Sequence, residues 1–233
     1  MNFFLLFVAT VCIFFIVKLI KWCKDENVVD WGRQWLNLAD GLNRILCTKY
    51  HRQQKTFIPL PDTGPAIVVA NHISGLDPFL LFAACKRPLR FMIAREEYER
   101  FGLTWLFKAA GCIPVDRRKR PTDALHEALA ALEEGEVVAL FPHGGIKWPT
   151  HEENTIKGGA IRLAQRKRCP LYPVYIHGVK NGGTTFIALL GRSRIELDFY
   201  DPISCSDEDY ELCMTELSRM LNVRAENLTK DVV

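Results

Sequence analysis

The residues best equipped for chemistry lie in the stretch 67–77, Ile-Val-Val-Ala-Asn-His-Ile-Ser-Gly-Leu-Asp. Gly64 and Pro65 punctuate its start, and residues 67–70 suit a buried strand. The chain then turns polar at Asn71 and His72, and Asp77 follows His72 by five positions. A histidine leaving the end of a strand, with a carboxylate on the next turn, can serve as a general base with its orienting partner. The same residues also fit a purely structural role. Asp77-Pro78 is a good helix start, with Asp as N-cap and Pro at the first helical position, and His72 is then an ordinary loop histidine.

The elements around this stretch favour the first reading. Periodicity predicts strands over 90–94, 112–115, 137–141 and 171–176. It predicts helices over 96–110, closed by Gly111, over 121–134, closed by Gly135, and over 155–168. Residues 184–190 and 194–200 read as a hairpin about 191–193, and Ser206 with Asp209 as a capping box for a helix to about Leu221. Strands alternating with helices, then a terminal hairpin, predict an α/β fold: a mixed, largely parallel sheet flanked by helices. Ligands of such sheets bind beyond the carboxyl ends of the parallel strands. Three predicted strands end there in Asn71-His72, in Asp116-Arg117, and in His143-Gly144-Gly145. If the strands are parallel, the three turns share one crevice with a base, a fixed cation and a backbone that a ligand can approach closely. That is a site for an anionic substrate.

Composition narrows the class. The chain has 233 residues and a net charge of +3, enough for one sizeable α/β domain and far from a nucleic-acid-binding excess. Its eight cysteines form no Cys-x-x-Cys pair, which argues against a cysteine zinc site, and their scatter suggests reduced thiols on a cytoplasmic side. Residues 3–17 are apolar apart from Thr10, and the run to Trp22 spans twenty residues, about 30 Å as a helix. A cleaved signal fits poorly, because the positive charges follow the apolar run. Lys18, Lys21 and Lys24 place the rest of the chain in the cytoplasm. The predicted organisation is an N-terminal anchor over 1–24, transmembrane or interfacial, an amphipathic membrane-facing helix over 25–54, and one domain over 55–233. In the second segment Trp31, Trp35, Leu38, Leu42, Ile45 and Leu46 form the apolar stripe, which faces either the membrane or the domain.

The order of blocks is more specific than any one of them. Asn71-His72-x4-Asp77, then 111–117 (Gly-Cys-Ile-Pro-Val-Asp-Arg), then 141–144 (Phe-Pro-His-Gly), then 172–176 (Tyr-Pro-Val-Tyr-Ile) resembles the four motif blocks of PlsC-type glycerolipid acyltransferases, the 1-acylglycerol-3-phosphate (lysophosphatidic acid) acyltransferases and their relatives. Residues 157–160, Lys-Gly-Gly-Ala, resemble the family's Lys-x-Gly-Ala. The resemblance covers roughly residues 55–200, so the domain over 55–233 is expected to be an acyltransferase domain. It implies that His72 takes a proton from a lysolipid hydroxyl, that Asp77 holds the imidazole, and that the acyl chain comes from acyl-CoA or acyl carrier protein without a covalent acyl-enzyme. It also implies no cofactor, membrane lipids and a lysophospholipid as partners, no nucleic acid, and a place at the bacterial inner membrane with the site on its cytoplasmic face. The acceptor phosphate maps onto Arg117 and the loop of His143, Gly144, Gly145 and Lys147, with Arg95 a further binding residue.

The third block departs from the family's usual Phe-Pro-Glu-Gly-Thr-Arg-Ser. His143 stands for the Glu, Gly145 for the Thr and Ile146 for the Arg, while Lys147 adds a cation. A histidine accepts fewer hydrogen bonds than a carboxylate and leaves the pocket more positive. Two alternatives to lysophosphatidate acylation follow: a different lysolipid acceptor, or a catalytically weakened lipid-binding relative. A metal hydrolase using His72, Asp77 and His143, and a nucleophile at Ser74 or Cys112, are less favoured; no Gly-x-Ser-x-Gly elbow exists. His51, His126, His151 and His177 are expected to be solvated.

Overall fold

Continuous apolar runs become the centre of the sheet. The computed structural model describes residues 2–117, 122–146, 155–180 and 185–222. It holds β1 (Ala66–Ala70), β2 (Leu89–Ala94), β3 (Ile113–Val115), β4 (Val137–Leu140), β5 (Leu171–His177) and β6 (Glu196–Phe199). Their order is β3-β2-β4-β1-β5-β6. All neighbours pair in parallel except β6, which runs antiparallel to β5. Ile67 lies opposite Val138 on one side and Leu171 on the other. All five residues of β1 are fully buried, as expected of a parallel strand covered on both faces.

Successive side chains of β1 enter two cores. Val68 and Ala70 pack with Leu80 and Leu81 of α3 (Asp77–Ala83). Ile67 and Val69 pack with Leu132 of α6 (Thr122–Glu133), Ile161 of α7 (Gly159–Lys167) and Leu217 of α9 (Tyr210–Asn222). His72 continues the alternation on the α3 side.

The N-terminal elements dock through buried apolar residues such as Val29, Leu36 and Ile45 and through a buried ion pair. α1 (Asn2–Glu26) is long and apolar enough to cross a membrane. α2 (Gln34–Ile45) is shorter than expected and continues as a π-helical turn, Leu46–Tyr50. Trp35 and Leu42 of the apolar stripe stay exposed, while Asp40 and Arg44, which fall between the stripe positions, are buried. The Arg44 guanidinium pairs with Asp40 (2.7 Å) and donates to the carbonyls of Ala83 (2.8 Å), Phe82 (3.2 Å) and Cys85 (2.6 Å). These carbonyls close α3, so the arginine caps that helix. Gly41 permits the α1–α2 crossing, since a Cβ there would collide with the Cys23 carbonyl.

Several elements differ from expectation. The helix expected over 96–110 is split into α4 (Arg95–Tyr98) and α5 (Thr104–Ala109), with Gly102 at φ +81° between them. Residues 185–190, expected as part of the first arm of a hairpin, form α8 (Thr185–Leu190). Short apolar runs suit either state, and here Ala188 is buried while Ile187 and Leu190 face outward. α7 starts at Gly159 and not at Thr155, because the Lys157 N–H donates to the Pro142 carbonyl (2.9 Å). Ser206 makes no reciprocal capping box; its hydroxyl donates to the Asp209 carboxylate. Cys205 and Cys213 form a disulfide, where the scatter of cysteines had suggested reduced thiols, and the other six cysteines are free.

His51, expected in solvent, is fully buried, and its carbonyl accepts from Ile195 N–H (3.2 Å). Burial pushes its imidazole below the ordinary value of 6.5, with the Leu189 backbone opposing the shift. The folded state therefore binds fewer protons than the unfolded one as pH falls through that range. The stabilisation is full above about pH 6.5 and is lost as pH falls towards the folded value. His51→Leu is expected to flatten this acid limb, read as the change in thermal midpoint with pH in detergent. Arg44→Ala leaves Asp40 buried without its cation and should cost about 3 kcal/mol in unfolding free energy. Arg44→Lys should not restore it, since one ammonium cannot reproduce the planar fork.

Candidate active site

The site is built where β1 ends. Asn71, one residue beyond the strand, is buried, and its side-chain amide bridges to β5. Its Nδ2 donates to the Ile176 carbonyl (2.9 Å), and the Ile176 N–H donates to its Oδ1 (2.7 Å). The side chain thus stands in for one more residue of the parallel ladder and fixes where His72 leaves the sheet.

Asp77 shapes the turn that follows. It opens α3 with Pro78 next to it, yet its carboxylate points back into the loop rather than capping its own helix. Oδ2 accepts from the N–H of Ile73 (2.7 Å) and of Ser74 (2.8 Å), and Oδ1 accepts from the Ser74 hydroxyl (3.0 Å). The His72 Nδ1 lies 2.8 Å from Oδ2. An ionised carboxylate only accepts, so this contact places the proton on Nδ1 and leaves Nε2 as the basic nitrogen. The imidazole is half-buried, and its face stacks on Phe141 from the end of β4, with centroids 4.1 Å apart and planes inclined by 11°. Phe141 stacks in turn on Phe91, which meets Phe82, which meets Trp31. The edge of the imidazole is held by Asp77 and its face by an aromatic column.

The other expected residues sort by strand order. β4 adjoins β1, and Phe141, which opens the loop of His143 and Gly144, stacks on His72. His143 is buried, and its Nε2 lies 3.0 Å from Oδ1 of Asn222 at the end of α9. Gly144 has φ +72°, with its N–H donating to the Phe141 carbonyl, and Gly145 faces open space. Arg95 follows β2, two strands from β1, and pairs with Glu99 (3.2 Å) and, at 4.0 Å, Asp116. Arg117 follows the edge strand β3 and is exposed. At about 4.8 Å per strand it starts roughly 14 Å from β1. Lys147 and His151 lie outside the described residues. Lys157, read from the sequence only as part of a spacing motif, lies across Gly144: a Cβ there would stand 2.7 Å from Lys157 Nζ.

Competing nucleophiles are occupied. Ser74 Oγ is buried, donating to Asp77 and accepting from Leu76 N–H (3.1 Å). Burial pushes the Cys112 thiol up to about 12, so it stays protonated at neutral pH. Among the described residues no three His, Cys, Asp or Glu side chains are grouped to hold a metal ion.

The fold is thus a mixed, mainly parallel α/β sheet with a histidine–aspartate pair at the carboxyl end of β1. A family model described as Acyltransferase matches residues 49–177, more than half of the chain, and the chain belongs to this family, in its PlsC-type branch; it is an O-acyltransferase. A Streptococcus pneumoniae 1-acyl-sn-glycerol-3-phosphate acyltransferase is 25% identical over 197 residues, covering 81% of this chain and 70% of that one. A Bacillus subtilis protein of the same name is 24% identical over 149 residues, 64% of this chain and 71% of its own. The crystal structure of the 1-acyl-sn-glycerophosphate (LPA) acyltransferase PlsC from Thermotoga maritima shares the fold, with TM-score 0.63 over 96% of this chain and 92% of that one at 20% identity.

Asn71→Ala removes both partners of a buried backbone N–H and carbonyl. It is expected to cost about 2–3 kcal/mol in unfolding free energy, read by thermal or chemical unfolding.

Proposed function

We propose that the chain transfers a fatty acyl group from a thioester, acyl-CoA or acyl carrier protein, to the free hydroxyl of 1-acylglycerol-3-phosphate, giving phosphatidic acid. The single observation that carries this reading is the His72–Asp77 contact, with Nε2 left basic on the face of the sheet that adjoins the glycine loop. Nε2 takes the hydroxyl proton, and the alkoxide attacks the thioester carbonyl. The tetrahedral intermediate collapses, the C–S bond breaks, and the thiolate leaves with the proton from the imidazolium. Asp77 stabilises that imidazolium and holds its orientation throughout. No acyl-enzyme forms, in keeping with the engaged Ser74 and the protonated Cys112. The reaction as written needs no cofactor beyond the donor. α1 holds the enzyme at a bacterial inner membrane, where both the acceptor and the product reside, and the positive residues after it put the site on the cytoplasmic face.

A second reading has its own observation. His143, in place of the usual carboxylate, is tied to Asn222 in the last helix. That contact takes the side chain up in packing, and the acceptor headgroup could then differ from a simple phosphate.

The test uses purified protein in detergent, labelled acyl-CoA and acyl carrier protein, and a panel of lysolipids. Wild type is expected to acylate 1-acylglycerol-3-phosphate. His72→Ala should lose about 10³-fold in rate, and Asp77→Asn at least 10²-fold in kcat with little change in KM. Transfer to another lysolipid alone selects the second reading, and transfer to none sinks both.

A further inference from the structure

An acceptor phosphate near His72 needs a cation near His72. The phosphate of a glycerol phosphate lies only a few bonds, each about 1.5 Å, from the hydroxyl that reacts. Arg117 leaves the sheet three strands away, and Arg95 is already paired with Glu99 and Asp116. Ile146, in the loop that adjoins the histidine, is apolar.

Lys157 answers the need from a different element. Its N–H is bonded to the Pro142 carbonyl, which fastens residue 157 beside the β4 loop before α7 begins. Its side chain folds back over Gly144, with the Cβ position of that residue 2.7 Å from Nζ and 3.0 Å from Cε. Gly144 therefore serves two ends: it adopts a left-handed φ of +72°, and it leaves the space that the ammonium occupies. Among the described residues no carboxylate pairs with this ammonium. The same loop begins at Phe141, whose ring lies on the imidazole of His72. One short turn thus carries the stacking partner of the base at one end and a cation at the other.

We propose that Lys157 is the specificity-determining cation for the acceptor, binding its phosphate monoester and setting the preference for phosphate-bearing lysolipids. The inference rests on the acyl-transfer reading for its biological role, but the phosphate site itself can be tested apart from turnover.

The experiment compares full-length wild type, Lys157→Gln and Lys157→Arg in detergent, with thermal unfolding as the control for integrity. In the first arm, ³¹P line broadening reads binding of glycerol 3-phosphate and of inorganic phosphate. Wild type and Lys157→Arg should broaden the glycerol 3-phosphate signal, and Lys157→Gln should not. In the second arm, steady-state acylation compares 1-acylglycerol-3-phosphate with 1-acylglycerol, which lacks the phosphate. Lys157→Gln should raise KM at least tenfold for the phosphate acceptor with kcat little changed. KM for 1-acylglycerol should not move, and Lys157→Arg should restore the preference. Unchanged KM in Lys157→Gln, or an equal loss on both acceptors, overturns the proposal. So does a wild type that binds inorganic phosphate alone and not the lysolipid phosphate. If wild type acylates nothing yet loses glycerol 3-phosphate binding in Lys157→Gln, the phosphate site stands and the acyl-transfer reading falls.

Discussion

A carboxylate that is fully out of water must have its oxygens satisfied, and the loop after β1 is folded around that demand. Asp77 collects two backbone N–H groups, a hydroxyl and the imidazole of His72 within a handful of residues. No other side chain of similar size could accept all four. The turn, the start of α3 and the orientation of the His72 ring are consequences of one desolvated charge. Asn71 performs the matching service on the other side, lending its amide to β5 so that the loop departs from a fixed point.

Much of the sheet was legible because buried parallel strands leave an unbroken apolar signature, and residues 66–70, 137–140 and 171–177 each carry it. The errors fell where one residue overrode a pattern. Gly102 broke a helix that periodicity drew straight through it. Residues 184–190 were too short for apolar content to choose between helix and strand. Asp40 and Arg44 sit where an amphipathic pattern puts solvent, yet they are buried. Nothing in their spacing says that three helix-terminal carbonyls wait on the domain for a guanidinium.

The contacts of the candidate site were legible where they are local and less so where they depend on layout. The approach of His72 to Asp77 could be read because an HX4D spacing at a strand end is short-range, and the contact forms within a single turn. Strand order is long-range information, and it changes the standing of the cations. Arg117 looked adjacent because its turn follows a strand carboxyl end, but its strand is the outermost one. Lys157 was read only as part of a spacing motif, and one backbone hydrogen bond to Pro142 brings it beside the glycine loop. His143 read as a pocket residue, and its ring also meets Asn222 at the end of α9, a contact no local spacing announces.

The two restraints on the imidazole of His72 act at right angles. Asp77 fixes rotation within the ring plane, and Phe141 fixes the tilt of that plane. The orientational entropy of the imidazole is surrendered once, when the chain folds. The tilt restraint is itself anchored through Phe91 and Phe82 to Trp31, in the segment that joins α1 to α2. The tilt of the His72 ring is therefore packed, through this column, against the segment that joins α1 and α2, and a change of ring size at Phe91 would be felt at both ends of the column.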